Sequence, residues 1–86
     1  MLESEIKRKS KERLKQWGWL VVHIIQSNTN GIPDTMILRK GKMFFIEFKR
    51  PGEAPDPLQQ YRIRKLREQG FETLVVTNLN QIEHLR

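Results

Sequence analysis

Two apolar runs separated by two residues dominate the middle of the chain. The first leads from Gly31-Ile32-Pro33-Asp34 to Arg39; the second is Phe44-Phe45-Ile46-Glu47-Phe48-Lys49. The Lys40-Gly41 pair between them predicts a β-hairpin. Met36 and Leu38 take one face of its first strand and Ile37 the other. In its second strand, Phe45 opposes Phe44, Ile46 and Phe48. Apolar residues on both faces predict a hairpin central in its sheet and covered on both sides. Before it, Glu3, Ile6, Ser10, Leu14 and Trp17 recur at spacings of three and four, predicting a helix over residues 2–17 that Gly18 closes. Residues 19–25, β-branched and aromatic, predict a first strand, and residues 26–30 a polar loop. Three prolines and a glycine make 50–57 a loop. Gln59, Ile63 and Leu66 share a face of a second helix over 58–69, with Asp56 as N-cap, Pro57 at its first position and Gly70 at its end. Residues 71–77 predict a fourth strand, and 78–86 a short closing helix capped by Asn78 or Asn80.

The order α-β-β-β-α-β defines an α/β fold in which the strand–helix–strand crossover should be right-handed and parallel, giving a mixed central sheet. Eighty-six residues form one domain, 1–86. Its core is modest, since chains this short bury only about 60% of their unfolded surface, and self-association is an expected source of further stability. The absence of cysteine excludes disulfides and thiolate metal sites. The apolar run at 19–25 is too short to span a bilayer, and residues 1–16 lack a signal-peptide core; an intracellular protein with no membrane partner is expected. Lys and Arg number 16 against 10 Asp and Glu, a net charge of +6 with a pI near 10.1. Such a balance suits a polyanionic partner, nucleic acid first, although a basic surface also serves solubility.

With Lys40-Gly41 as the turn, Asp34 falls directly opposite Glu47. Facing like charges repel; a hard divalent cation turns them into a ligand pair. Alternation puts Lys49 on the same face as Glu47. Two carboxylates and an ammonium suit metal-assisted phosphodiester hydrolysis, with Mg²⁺ or Mn²⁺ as the ion and no small-molecule cofactor. Asp34 and Glu47 would bind the ion, with the backbone carbonyl of Phe48 completing the set, and Lys49 would serve the attacking water or the phosphate. Two further residues have competing explanations. Glu3 is either a first-turn acid favoured by the helix dipole or a further site ligand, for which Glu5 is the alternative. Gln59 is either an ordinary first-turn residue or a group fixing Lys49 or a water at the ion, for which Gln60 is the alternative. Lys7, Lys11, Lys15, His23, Arg50, Arg62 and Arg64 are candidate phosphate contacts.

Gly31-Ile32-Pro33-Asp34 followed by Phe45-Ile46-Glu47-Phe48-Lys49-Arg50-Pro51-Gly52 resembles the PD-(D/E)XK nuclease pattern, and more closely the VRR-NUC family, especially its small stand-alone phage and bacterial members. Leu2-Glu3-Ser4-Glu5-Ile6, Gly18-Trp19-Leu20, Pro57-Leu58-Gln59 and Leu66-Arg67-Glu68-Gln69-Gly70-Phe71 extend the resemblance over nearly the whole chain. It implies a restriction-endonuclease-like core, metal binding by Asp34 and Glu47, and catalysis by Lys49, with Glu3 and Gln59 completing the site. The chain departs from the family pattern at Lys7, where an acid is common, and at His23, where lysine is common.

The resemblance implies a metal-dependent, structure-selective DNA endonuclease acting on four-way (Holliday) junctions. Two matched nicks call for two sites, hence a homodimer, with Trp17 and Trp19 as candidate interface anchors. The alternatives are a non-catalytic nucleic-acid-binding module and a subunit of a larger nuclease or helicase.

Overall fold

In the computed structural model, which describes all 86 residues, Lys40 and Gly41 both adopt positive φ, 50° and 80°. Such values suit a two-residue hairpin turn matched to the twist of its strands. The turn joins β2 (Thr35–Arg39) to β3 (Lys42–Phe48), paired antiparallel from Arg39 opposite Lys42 to Thr35 opposite Ile46. β1 (Leu20–His23) pairs antiparallel with β2, and β4 (Glu72–Val76) pairs parallel with β3. The sheet is therefore mixed, ordered β1-β2-β3-β4, with the hairpin at its centre.

The two α-helices, α1 (Glu3–Gln16) and α2 (Pro57–Glu68), end in the same way. Gly18 N–H donates to Lys15 and Trp19 N–H to Leu14; Gly70 N–H donates to Arg67 and Phe71 N–H to Leu66. These paired bonds around a left-handed glycine are the Schellman closure. They explain why β1 starts later than the apolar run suggests, because the Trp19 backbone belongs to the end of α1. β1 also stops short of Ile25. Its last bond to the β2 side is Ile24 N–H donating to the Asp34 carbonyl at 2.7 Å. The closing segment is a 3-10 helix, Leu79–Leu85, capped by Asn78.

One sheet face carries the main core. Ile6 and Leu14 of α1, Ile37, Ile46 and Phe48 of the hairpin, Val76 of β4, and Ile82 and Leu85 of the 3-10 helix pack together around Trp19. Trp19 is 4% exposed, and its indole N–H donates to the Leu85 carbonyl at 2.8 Å. It is a core residue, which corrects its assignment as an interface anchor. Trp17 packs against the same core, with Arg86 over its ring. On the other sheet face α2 lies along β4 and buries Ile63. No helix is long and apolar enough to cross a membrane.

Candidate active site

The chemistry gathers where β2 begins and β3 ends. Continued one step past Thr35 opposite Ile46, the antiparallel register brings Asp34 across from Glu47. The Lys49 N–H donates to the Val76 carbonyl at 3.0 Å, which anchors that residue to β4. Its ammonium then stands 3.9 Å from Glu47 Oε1 and 3.9 Å from Glu53 Oε1. Successive residues of a strand point their backbone groups to opposite sides. With Lys49 turned toward β4, the Phe48 carbonyl is turned toward the start of β2, where Pro33 offers no N–H.

Gln59 connects α2 to this end of the sheet. Asp56 Oδ1 accepts the Gln59 N–H at 2.8 Å, and Gln59 Oε1 accepts the Asp56 N–H at 3.0 Å. This capping box fixes the direction of the amide, whose Nε2 donates to Glu47 Oε1 at 3.0 Å. The two explanations of Gln59 hold at once: the residue that caps the helix also orients the buried acid. Gln60 instead donates to the Pro55 carbonyl, away from Glu47.

The two acids have opposite electrostatics. Burial pushes the Glu47 carboxyl up to about 7, the facing Asp34 charge adds to the effect, and Lys49 only partly offsets it. For Asp34, burial also opposes ionisation, but hydrogen bonds from Lys7 and Thr35 outweigh it and hold the carboxyl below its ordinary range. Lys7 Nζ donates to Asp34 Oδ2, and Thr35 Oγ1 donates to Oδ1 at 2.9 Å.

Lys7 therefore corrects the expectation of a phosphate contact on the outer face of α1, because its ammonium is drawn inward by Asp34. Glu3 is exposed and has no hydrogen bond; with Leu2, Ser4, Arg50 and Glu53 it lines a surface depression. Its charge nevertheless contributes to the rise at Glu47. Among the expected phosphate contacts, Lys11 Nζ lies 3.4 Å from His23 Nδ1. Arg50 pairs with Glu53 at 2.9 Å, and Arg62 donates to the Asn30 carbonyl at 2.9 Å. Lys15 and Arg64 are exposed, with Arg64 over the Tyr61 ring. Sequence reasoning missed Thr35 and Glu53. Adjacency to Asp34 marks the first, and an i,i+4 spacing from Lys49 the second.

A hard divalent cation fits this donor set. The two facing carboxylates and the Phe48 carbonyl are oxygen ligands of the type Mg²⁺ and Mn²⁺ take. The elevated Glu47 shows a buried acid short of positive charge, a deficit that a cation would fill.

The comparisons agree with the fold. A solved structure described as a VRR_NUC domain superposes with a TM-score of 0.85 at 29% identity, covering 96% of this chain and 91% of that one. A second, described as a VRR_NUC domain protein, superposes at 0.76 over 99% of this chain and 84% of that one, and at 18% identity it supports the fold alone. In sequence, the chain is 28% identical over 75 residues to "Putative nuclease p44" of Acyrthosiphon pisum secondary endosymbiont phage 1, covering 86% of this chain and 81% of the relative. No family model matches the chain. In topology and extent the chain has the fold of these solved VRR_NUC domains, and in sequence it is similar to the first of them and to the phage protein.

Proposed function

We propose that this domain is a metal-dependent endonuclease that hydrolyses phosphodiester bonds in DNA at the Asp34–Glu47–Lys49 site. The observation that carries this reading is the buried Glu47, facing Asp34 across the hairpin, clamped by Gln59 and flanked by Lys49. A half-buried acid shifted by burial and a specific charge partner is a functional-site candidate. The similar phage protein described as a nuclease supports the same assignment.

Asp34, Glu47 and the Phe48 carbonyl would hold Mg²⁺ or Mn²⁺, which when bound supplies positive charge to the phosphate and acidifies water at the site. Lys49 presents its ammonium to the reacting phosphate as a point charge or positions the attacking water. Gln59 keeps Glu47 in one orientation. Lys11, Lys15, His23 and Arg64 supply phosphate contacts around the site, and their contribution is salt-dependent.

The substrate we assign is a branched duplex, with the four-way junction as its leading form, cut by a homodimer. Each chain carries a single facing acid pair, so two matched nicks need two copies. The test is to incubate the protein with a synthetic four-way junction and with linear duplex of the same sequence, in Mg²⁺, Mn²⁺ or EDTA. Metal-dependent cleavage favouring the junction supports the assignment. Binding without cleavage in every buffer overturns the nuclease and leaves a binding module. Equal cutting of both DNAs removes the junction preference, and a monomeric gel-filtration profile at assay concentration removes the paired nicking.

A further inference from the structure

Each of the facing acids already has a lysine. Lys49 stands beside Glu47 from the same strand, whereas Lys7 reaches Asp34 from a different element, 27 residues away in sequence. The contact is half-buried: the Lys7 side chain is 27% exposed and that of Asp34 38%. Thr35 occupies the other Asp34 oxygen, so both oxygens are engaged and the carboxylate is held in one orientation. Of the neighbouring acids, Glu53 is drawn to Lys49 and Arg50, and Glu3 is exposed without a partner. No group of three or more acid or histidine side chains is placed to hold an ion.

We infer that Lys7 is a resident cation of the site, a positioning residue that holds Asp34 and limits the pair to one divalent ion. The inference rests on the metal-dependent reading above and concerns how many ions that site takes. Two carboxylates and two ammoniums sum to zero before any ion enters. One divalent ion brings the site to +2, which the negative phosphate of a substrate partly offsets. A second would bring it to +4, while the nearest further acids are Glu53, already drawn to Lys49 and Arg50, and the exposed Glu3. Lys7 thus engages one oxygen of Asp34 and sets its ammonium beside any ion the acid pair would hold.

Removing that charge should strengthen cation binding, because a like charge beside the ligand disappears. Replacing it by an acid should open a second place. The experiment titrates metal-free protein with Mn²⁺ at pH 8 and follows the paramagnetic resonance signal of the free ion. The wild type is expected to bind one ion. Lys7→Gln should bind one ion about tenfold tighter, Lys7→Glu two ions, and Lys7→Arg one ion at wild-type affinity. Retention of affinity by Lys7→Arg separates the charge effect from a loss of folding. Two ions in the wild type, or a Lys7→Gln affinity no tighter than wild type, overturns the inference and leaves the nuclease reading intact. No Mn²⁺ binding by the wild type overturns both.

Discussion

Glu47→Gln should make the metal-free protein more stable, an unusual outcome for a substitution at a buried position. The Glu47 carboxyl rises from an ordinary 4.5 to about 7, so the folded chain holds a proton that the unfolded chain has released over that interval. Stability contributed at this position is fully present below about pH 4.5, falls as pH rises, and levels off above about pH 7. At about 1.4 kcal/mol for each pH unit, the interval of about 2.5 units gives a penalty near 3 kcal/mol in the ionised protein, an upper bound for a group whose partners can rearrange. The amide removes the charge and keeps the geometry, since its oxygen still accepts from Gln59 Nε2 and its nitrogen faces the Asp34 carboxylate. Urea unfolding of both proteins in EDTA, from pH 4.5 to 8.5, measures the difference. A gain of roughly 2 kcal/mol above pH 7, shrinking toward zero near pH 4.5, is expected; for a domain of this size that corresponds to about 8–16 °C in Tm. A variant less stable than wild type at pH 8, or a difference that does not change with pH, would refute the account of Glu47 as a buried, under-compensated acid.

Other consequences follow from the same contacts. Mg²⁺ or Mn²⁺ should raise Tm at pH 8 and much less at pH 5, where Glu47 is protonated; at a hundredfold excess over Kd the gain is about 2.7 kcal/mol, and equal shifts at both pH values would argue against Glu47 as a ligand. Gln59→Ala removes half of the α2 capping box and the Glu47 hydrogen bond together, so urea unfolding should show a loss of about 1–2 kcal/mol. It should also slow cleavage, while Gln60→Ala leaves the rate unchanged. Lys15→Ala combined with Arg64→Ala should weaken DNA binding and flatten its salt dependence by about 0.9 in log–log slope for each lost phosphate contact, as read by fluorescence anisotropy across a salt series.

The hairpin was the most legible part of the chain. Lys40-Gly41 between apolar runs fixes both the turn and the register, and the register alone places Asp34 across from Glu47. The α2 cap was equally plain from Asp56-Pro57, but its further effect was not. A capping glutamine and a site glutamine look like competing explanations until the fold shows one amide with its oxygen in the cap and its nitrogen on Glu47. What remained hidden depends on contacts distant in sequence. Trp19 bonds the carbonyl of Leu85, 66 residues on, and no local pattern announces that the closing 3-10 helix shelters it. The basic character of α1 gives no hint that Lys7 turns inward, because that direction is set by Asp34 on a separate element. Apolar periodicity alone makes β1 too long, since it cannot register a helix closure at Trp19.

Lys49 offers the most direct test of the central claim, since it stands beside the acid pair and is not needed to hold the hairpin. Single-turnover cleavage of end-labelled branched DNA by Lys49→Ala, with Mn²⁺ binding measured on the same preparation, separates chemistry from ion binding. The account predicts retained Mn²⁺ binding and a cleavage rate lowered by about 10²-fold or more. Cleavage within a few-fold of wild type would contradict it.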